Sequence, residues 1–525
     1  MTKKLLIILL ASLMFLFFLV KDINLPYVGP NATNFNVYSL IAHNFNKFGY
    51  VQTKLAPIIS ITDKYPANPH YFFHHPTLLS FSESLLFKIF GENFWVGRLT
   101  VILYSFGSFI FIYLIAKKLF DEKFAVISLI IASLIPATTI WGKMIGQEPL
   151  VLFFALLSLY LLLLYFDTKN KKYFYFSLLS VILGILSDWP AILFPFAILP
   201  IFIKNKKKEG AILCFVSIFT TIILLAYVYV LRSGFWDLQN AVVFRSFTGL
   251  LSMPYWPITW IEAWIVRLII YFNPLIVILS AIFLYTQYKL FKSKKLSGKE
   301  IVILCLFIFP IFHQLLYAQA VFSHNYLLYY LLPFFVFSSS YVLNNLLKNK
   351  RYVLFSSVII FSLAYLFIIS GYKNKQVESN LWRYEFAQKI SEFTKQYETV
   401  ALNNRDNAVN PDLLWYPFLL NMVVSETETA GYYSKNYDRY VFTCNNLCPS
   451  NIVLLNEFKD KYKFVHISAT QAQAYIIYLK EEKVGDNTKD EINIVLKTSP
   501  SKLLDETLAK KIYNYLRTFL NLSQV

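Results

Sequence analysis

The chain has 525 residues, of which 57% are hydrophobic and 15% charged, and its formal net charge is +18. Soluble domains carry about 25% charged residues, so this composition excludes a soluble protein of this size. The positive charge does not indicate a nucleic-acid partner. Most lysines before the C-terminal tail lie in short loops between apolar blocks, as membrane topology requires.

The apolar residues form about eleven blocks of roughly 14–22 residues, most of them long enough to cross the hydrocarbon core of a bilayer as helices. The first block, residues 5–20, follows Met-Thr-Lys-Lys without a small-x-small cleavage site. We therefore interpret it as an uncleaved first span rather than a signal peptide. The later predicted spans are 95–116, 124–140, 150–166, 173–186, 189–203, 211–231, 268–288, 301–317, 326–347 and 352–370.

The loops between these blocks alternate in charge. One set is rich in lysine: 117–118, 169–172, 204–208, 289–299 and 348–351. The other set carries far less positive charge per residue: 21–94, 141–149, 187–188, 232–267 and 318–325. The positive-inside rule places the first set and the N-terminus in the cytoplasm. The predicted protein is thus a multi-pass protein of the cell membrane, with everything after Ser370 on the outer side.

Two stretches of the first outer loop, 21–94, have the periodicity of amphipathic helices. Residues 37–48 and 77–90 each place apolar side chains on one side and polar ones on the other. Such helices are typical of the membrane surface, although packing against the spanning helices would give the same pattern. Residues 236–250 are a candidate for a third helix of this kind.

The tail is more polar than the rest of the chain and contains short β-like runs at 398–402, 451–455, 464–468 and 474–479. We expect a transmembrane domain over residues 1–371 and a small outer α/β domain over 372–525. Cys444 and Cys448 are close enough for a local disulfide, which an extracytoplasmic location favours over half of a metal site. Cys214 and Cys305 lie inside apolar blocks and are expected to be buried.

Histidines are concentrated in the first outer loop, in the run His-Tyr-Phe-Phe-His-His-Pro at 70–76. Imidazoles at this spacing suit a divalent metal or donation to a phosphate. His74, His75 and Glu148 are the candidate metal ligands. The alternative is an aromatic interfacial loop whose histidines are solvated.

Acidic residues stand at the start of two predicted outer-side helices. Glu148 precedes Pro149, and Asp188-Trp189 precedes Pro190. An acid at a helix N-terminus is stabilised by the helix dipole, but an ionisable group at membrane depth also suggests function. Glu148 is our first candidate for a catalytic residue. Asp188 and Trp189 are assigned to acceptor binding or to structure.

Four further polar groups lie at the same predicted level. Arg98 opens the second span, Lys143 lies in the second outer loop, and His324 and Tyr326 precede the tenth span. With His74 and His75, these side chains could hold a phosphate; as interfacial anchors, Arg98 and Lys143 would have no such role. A lipid-linked substrate would explain the layout, because its polyprenyl tail lies between helices while its phosphate and sugar reach the outer surface.

Several segments carry a resemblance to a known family: Asn-Phe-Asn-Val-Tyr-Ser-Leu-Ile-Ala-His-Asn at 34–44, His-His-Pro at 74–76, Gly-Glu-Asn-Phe-Trp-Val-Gly-Arg-Leu at 91–99, Gln-Glu-Pro-Leu at 147–150, and 326–333. In order and spacing over residues 1–345 they resemble the GT-C membrane glycosyltransferases. The nearest group is the one with the protein mannosyltransferases, the lipid A aminoarabinose transferase ArnT and the RgtA/B/C/D-like enzymes.

The resemblance implies a GT-C fold, a polyprenyl-phosphate sugar as donor and inversion at the anomeric carbon. The acceptor would be a protein, a lipid or a cell-surface glycan. Glu148 matches the acid that the family places at its second outer loop, near a metal or the donor phosphate, and Arg98 matches the arginine that opens the second span. The family places an acid just before its first surface helix, but residues 31–36 read Asn-Ala-Thr-Asn-Phe-Asn. Asn34 is therefore assigned to acceptor binding or structure.

The missing acid leaves the catalytic base open. Asp22, Asp63 or Glu83 would substitute for it, or Glu148 would take the role itself. Two other readings remain: a transporter or flippase for lipid-linked sugars, and a GT-C-like protein without activity. The absence of paired broken helices speaks against a transporter.

Overall fold

The computed structural model describes the chain except for residues 1–2, 29–31, 203–206, 232, 247–255, 349, 379, 396, 405–420, 424–436, 446–452, 470–471, 483–488 and 494–525. The described chain forms two compact units. The first comprises Met1–Ile23 and Tyr71–Lys373, and the second Asn24–His70 and Asn374–Leu508. The boundary after Lys373 lies close to the predicted one at 371. Most of the predicted first outer loop, however, groups with the C-terminal residues.

In chain order the helices are α1 (Lys3–Val20), α2 (Ala32–Phe48), α3 (Tyr50–Thr53), α4 (Leu78–Phe90), α5 (Phe94–Leu119), α6 (Glu122–Leu134), α7 (Pro136–Trp141), α8 (Glu148–Thr168), α9 (Lys171–Ser187), α10 (Leu193–Ala197), α11 (Lys207–Val230), α12 (Ser233–Arg245), α13 (Trp256–Phe272), α14 (Pro274–Lys292), α15 (Gly298–Leu316), α16 (Ala318–Ser323), α17 (Leu332–Lys348), α18 (Tyr352–Glu378), α19 (Leu381–Ser391) and α20 (Val453–Lys461). Short 3-10 helices occupy Trp189–Ile192, Leu199–Phe202 and Asn325–Leu331.

Within the described residues, seven helices are long and apolar enough to cross a bilayer: Phe94–Leu119, Glu148–Thr168, Lys207–Val230, Pro274–Lys292, Gly298–Leu316, Asn325–Lys348 and Tyr352–Lys373. Two shorter apolar stretches, Lys4–Val20 and Trp189–Phe202, match other predicted spans. The first unit is thus a multi-pass helical membrane domain. The count of eleven spans stays a prediction.

Prolines interrupt several predicted spans, because proline lacks an N–H and disfavours helical backbone in the residue before it. The predicted span 124–140 divides at Pro136 into α6 and α7, and 189–203 becomes alternating 3-10 and α turns. The predicted span 268–288 was wrong at its start. Asn273, with φ 72°, ends α13, and α14 begins at Pro274.

Hydroxyl groups join neighbouring helices inside the first unit. The Oγ atoms of Ser158 on α8 and Ser177 on α9 lie 2.8 Å apart. Ser338 on α17 donates to Oγ of Ser280 on α14 at 2.7 Å. All four side chains are buried. Small residues allow helices to approach closely, and their hydroxyls satisfy each other where no water is available.

Helix α4 has the amphipathic pattern predicted for it, with its polar side turned inward. Glu83 and Ser84 are buried, whereas Leu85, Ile89 and Phe90 are exposed. The buried side packs on α5 and α9. An exposed apolar stripe on a helix that packs against membrane spans suits contact with lipid.

The second unit contains a six-stranded mixed sheet in the order β2-β1-β3-β5-β4-β6. Its strands are β1 (Thr399–Asn404), β2 (Asn421–Val423), β3 (Arg439–Asn445), β4 (Tyr462–Ser468), β5 (Ala472–Glu482) and β6 (Lys489–Asn493). β1 is parallel to β2 and β3, β5 is antiparallel to β3 and β4, and β6 is parallel to β4. The predicted runs at 398–402, 464–468 and 474–479 are strands. The run at 451–455 was wrong, because α20 begins at Val453.

Both faces of this sheet are covered. One face packs on Phe386 and Ile390 of α19, and the other on Leu455 and Phe458 of α20. Val28, from the first predicted outer loop, joins the core on the α19 side. This shared core explains why residues 24–70 group with the tail.

Helix α2 is more deeply buried than a surface helix would be. Its apolar residues Val37, Ile41 and Phe45 are buried, and so are the polar Asn36 and Asn44. Nδ2 of Asn44 donates to the carbonyls of Ile58 and Ser60, at 2.8 and 3.1 Å. The polar side of the helix thus binds backbone of the same unit.

Cys444 is disulfide-bonded and buried. Its predicted partner, Cys448, lies outside the described residues. Cys305 is a free buried thiol, as the sequence predicted, whereas Cys214 is free and only partly buried.

We expect Asn273→Ala to destabilise the first unit. The side chain of Asn273 caps α14 by accepting from the N–H of Leu275 at 3.0 Å, and loss of such a cap costs about 0.5–2 kcal/mol. Alanine at φ 72° adds backbone strain of about 1–2 kcal/mol. Thermal unfolding of the purified protein measures the effect. Asn273→Gly, which loses the cap without the strain, should fall between wild type and alanine; equal stability of all three would contradict the analysis.

Candidate functional site

Three side chains from distant parts of the first unit form a chain of hydrogen bonds. Nδ1 of His75 lies 2.8 Å from Oδ1 of Asp188, and its Nε2 lies 2.8 Å from a terminal nitrogen of Arg245. The other terminal nitrogen of Arg245 donates to the carbonyl of His74 at 3.0 Å. The chain links the segment before α4, the end of α9 and the end of α12.

The partners fix the tautomer of His75. A guanidinium only donates hydrogen bonds, so Nε2 must accept and Nδ1–H must donate to Asp188. Burial lowers the pKa of His75, and neighbouring Arg245 adds to this lowering against the opposing effect of Asp188. Burial alone would raise the pKa of Asp188, but His75 and Arg245 hold it below its usual value. A neutral imidazole therefore joins an ionised carboxylate to a guanidinium.

This chain lies at the wall of a cavity of about 220 Å³. Its polar lining comes from helices and from the segments that connect them: His75, Asp188, Trp189, Thr221, Arg245, His313, Tyr317, His324 and Tyr326. Its apolar lining includes Leu225 of α11 and Val242 of α12, which are 39% and 47% exposed. The cavity thus combines a cationic wall with an apolar rim that faces the surroundings of the helices.

Helices α15 and α16 and the residues that flank α16 supply another part of the cavity wall. His313, near the end of α15, is buried, and its ring lies edge-on to Tyr330 with centroids 5.1 Å apart. Tyr317 and His324 flank α16, and the ring of His324 stacks on Tyr326. Burial lowers the pKa of His324 to about 4, with a further contribution from Arg245. This imidazole is neutral at pH 7 and can donate or accept a hydrogen bond without adding charge.

Glu148, the first catalytic candidate, is buried at the start of α8. Within the described residues its Oε2 has no hydrogen-bond partner. It is not among the cavity residues, but it is close enough to Asp188 and Arg245 to interact with both electrostatically. Gly146, two residues earlier, permits this position, since a Cβ there would lie 2.5 Å from Oε2.

The structure places Arg98 and Lys143 against the end of α1. Arg98 donates to the carbonyl of Ile23 at 2.8 Å, and Nζ of Lys143 to the carbonyls of Phe18 and Lys21 at 3.2 and 2.8 Å. Burial lowers the pKa of Lys143 to about 8. Neither side chain is among the cavity residues. Lys143 thus satisfies one carbonyl of the last turn of α1, and both side chains bind carbonyls of the residues just after that helix.

The other predicted residues are spread more widely. The ring of His74 lies against Phe72, with centroids 4.2 Å apart, and Trp189 lines the cavity. Glu83 is buried on α4. Asn34 on α2 and the exposed Asp63 belong to the second unit.

The predicted metal ligands are not assembled into a site. Among the described residues, no group of three or more His, Cys, Asp or Glu side chains is placed to hold a metal ion. The physical reason is visible at His75, whose two ring nitrogens are engaged by Asp188 and Arg245. A guanidinium at this point also repels a cation. The residues present fit an anion, not a divalent metal.

Sequence reasoning missed Arg245, His313 and Tyr317. Arg245 follows an amphipathic stretch whose apolar pattern masked a lone cation. His313 lies within an apolar block, three residues after Pro310. An ionisable residue inside such a block is the signal that could have identified it.

Comparisons with known proteins give a consistent result. The sequence model of the dolichyl-phosphate-mannose-protein mannosyltransferase family matches residues 74–236. No curated protein sequence matches the chain. Among solved structures, ArnT from Cupriavidus metallidurans in the apo state is 11% identical with a TM-score of 0.59, over 90% of this chain and 97% of ArnT. ArnT bound to undecaprenyl phosphate is 10% identical with a TM-score of 0.58, over 90% of this chain and 97% of ArnT.

The Archaeoglobus fulgidus oligosaccharyltransferase, in complex with Zn and sulfate, is 13% identical with a TM-score of 0.56, over 89% of this chain and 72% of that one. These likenesses define the class: the chain has the GT-C fold of membrane glycosyltransferases. The predicted fold class and the predicted resemblance are thereby confirmed. The matched family segment includes His75, Glu148 and Asp188, whereas Arg245 and the cavity residues of α15, α16 and their flanks lie beyond it.

We expect acidification to destabilise the site through His75. In the folded chain, burial lowers the pKa of His75 below its ordinary value of 6.5. At a pH between the folded pKa and 6.5, the unfolded chain therefore binds more protons than the folded chain. Stability then falls as the pH drops through this window. Thermal unfolding between pH 7.5 and 5 measures it. In His75→Gln, which keeps a donor for Asp188, this part of the pH dependence should shrink; an unchanged profile would contradict a neutral His75.

Lys143→Met is expected to lower stability without changing anion binding. The variant loses two charge-assisted bonds to the end of α1, worth about 1–3 kcal/mol together. Thermal unfolding and binding of undecaprenyl phosphate to the protein in lipid nanodiscs are measured in parallel. A loss of binding with normal stability would restore Lys143 to the phosphate site.

Proposed function

We propose that this protein is a membrane glycosyltransferase that transfers a sugar from a polyprenyl-phosphate donor to an extracytoplasmic acceptor. The observation that carries the proposal is Arg245, held by His75 and Asp188 at the wall of a cavity whose rim is apolar and exposed. A single site thus offers a fixed cation beside a surface for a lipid chain.

Arg245 is suited to the donor phosphate. One terminal nitrogen of Arg245 bonds to the carbonyl of His74 and the other to the ring of His75. Within the described structure, its other N–H groups are available to a ligand. Guanidinium groups bind phosphate oxygens through paired hydrogen bonds. His324 and Tyr326 line the same cavity and are proposed as further donors.

The exposed apolar rim is suited to the polyprenyl tail. Leu225 and Val242 line the cavity while facing outward, and exposed Phe219 and Ile222 continue the apolar surface along α11. Apolar side chains facing lipid offer a path for an isoprenoid chain without exposing it to water. ArnT, which has the same fold, has been solved with undecaprenyl phosphate.

Glu148 is proposed as the general base. Its carboxylate takes the proton of the acceptor hydroxyl as that oxygen bonds to the anomeric carbon. The bond between this carbon and the phosphate oxygen breaks, and its electron pair leaves with the polyprenyl phosphate. Arg245 stabilises the charge that develops on the leaving phosphate, so the step as written uses only side chains of this chain. The transferred group would be a hexosyl or pentosyl residue.

The predicted topology supports this function. Cavity residues come from loops that the lysine pattern assigns to one side: 21–94, 187–188, 232–267 and 318–325. We propose that this is the outer side, with the N-terminus in the cytoplasm and the C-terminal domain outside. The disulfide at Cys444 fits an extracytoplasmic domain. The acceptor class, protein, lipid or glycan, stays open.

Arg245→Met should reduce undecaprenyl phosphate binding and sugar transfer by about 100-fold or more, the scale seen when a charge-stabilising donor is removed. Arg245→Lys should recover part of the loss, because a lysine keeps the charge but not the paired geometry. Binding in nanodiscs and transfer from a radiolabelled polyprenyl-phosphate sugar are the measurements. The control is Lys117→Met, which removes a cation from a lysine-rich loop. Equal loss in both variants would refute a local role.

Glu148→Gln is expected to abolish transfer while leaving donor binding and thermal stability near wild type, because the amide cannot accept the proton. Gly146→Ala is a second probe. Its Cβ would lie 2.5 Å from Oε2 of Glu148, so the carboxylate must move and transfer should fall with binding intact. Full activity of Glu148→Gln would remove Glu148 from the mechanism. Binding without transfer in the wild type, across donor sugars, would favour a carrier or an inactive protein.

A further inference from the structure

Helix α13 carries a stripe of four side chains with polar atoms: Trp260, Trp264, Arg267 and Tyr271. Their spacing of four, three and four residues places them on one face of the helix. The residues on the other side, such as Ile261 and Ile265, are exposed and apolar. The stripe therefore faces protein, while the side of α13 that carries Ile261 and Ile265 faces outward.

The two tryptophans of the stripe donate hydrogen bonds to the segment that leads into α16. Nε1 of Trp264 donates to Oε1 of Gln314 at 2.6 Å. Nε1 of Trp260 donates to the carbonyl of Ala318 at 2.9 Å. These bonds hold the end of α15 and the first residue of α16.

Arg267 holds the other end of α16. Its two terminal nitrogens donate to the carbonyls of Val321 and Phe322, both at 2.7 Å. The last carbonyls of a helix lack partners within the helix and carry partial negative charge, so the partly buried guanidinium of Arg267 satisfies them. Farther along the stripe, the hydroxyl of Tyr271 accepts from Nδ2 of Asn325 at 2.8 Å.

The segment that the stripe holds carries three cavity residues. Tyr317 and His324 lie directly before and after α16, Ala320 lies within it, and all three line the cavity with Arg245. A helix of six residues is not stable by itself, so its position depends on outside bonds. Of the contacts described above, those from α13 reach it at both ends.

We propose that the α13 stripe sets the position of Tyr317 and His324 against the donor phosphate, with Arg267 as the principal positioning residue. The proposal rests on the proposed function, because it assigns these two side chains to the bound donor. Arg267 itself does not line the cavity. It acts through the backbone of α16.

The first experiment tests whether Arg267 of the α13 stripe stabilises α16, without reference to function. Hydrogen–deuterium exchange of the full-length protein in nanodiscs is compared for wild type, Arg267→Met, Arg267→Lys and the control Ile261→Ala, which lies on the exposed face of α13. Amides of residues 317–325 should exchange about ten-fold or more faster in Arg267→Met, since charge-assisted hydrogen bonds are lost. Arg267→Lys should restore most of the protection. Unchanged exchange in Arg267→Met overturns the proposal.

The second experiment uses a double-mutant cycle to test whether Arg267 of the α13 stripe affects ligand binding through the cavity residue His324. Binding of undecaprenyl phosphate is measured for Arg267→Met, His324→Ala and the double variant. If Arg267 acts through His324 and its neighbours, the double variant should bind no more than about two-fold weaker than the weaker single variant. Fully multiplicative losses, which a general loss of stability would give, overturn the proposal.

The outcomes separate this proposal from the proposed function. If the wild type does not bind undecaprenyl phosphate, the proposed function fails and the role of the stripe falls with it, whatever the exchange data show. If the wild type binds and Arg267→Met binds equally well, only the positioning role is refuted. Weaker binding in Arg267→Met, rescue in Arg267→Lys and non-additivity with His324→Ala together support it.

Discussion

The contact between Arg245, His75 and Asp188 imposes the strongest constraint on the first unit. A carboxylate and a guanidinium removed from water each cost several kcal/mol unless they are compensated. Here a neutral imidazole bridges them, so that each charge has a hydrogen-bonded partner. Meeting this condition brings together the segment before α4, the end of α9 and α12, which are far apart in sequence. The cavity is the space that these elements leave against α15 and α16.

The arrangement also explains why this site suits an anion. Both ring nitrogens of His75 are occupied by neighbours, and the nearest cation is part of the protein. Other sites obtain positive charge from a bound metal. Here the guanidinium of Arg245, a side chain of the protein, supplies it. Its orientation is fixed before any ligand arrives, which reduces the cost of reorganisation when charge develops on a leaving group.

Much of the membrane domain could be predicted from local sequence. Hydropathy located the spans because lipid requires every backbone group to be paired within its own segment. Prolines limited the precision: Pro136 and Pro274 end or begin helices inside blocks that hydropathy alone reads as continuous. The grouping of residues 24–70 with the tail depends on contacts such as Val28 with the sheet core. Such distant contacts leave no periodic signal.

The site was predictable residue by residue but not as an assembly. His75, Glu148 and Asp188 stood out because ionisable groups are rare beside apolar blocks. Arg98 and Lys143 stood out for the same reason, yet they bind backbone carbonyls at the end of α1. Composition cannot distinguish a cation that binds a ligand from one that satisfies a helix end. Arg245, one of the two partners of His75, is 170 residues away in sequence, which is beyond any local pattern.

The exposure of Leu225 and Val242 at the rim of the cavity has a consequence for how the protein meets its ligand. A molecule that arrives across that rim diffuses in two dimensions, and its relevant concentration is its mole fraction among the surrounding lipids. Diluting the sample with buffer would leave this quantity unchanged, whereas adding bulk phospholipid would lower it. Affinity at such a site is a property of the protein and its membrane together.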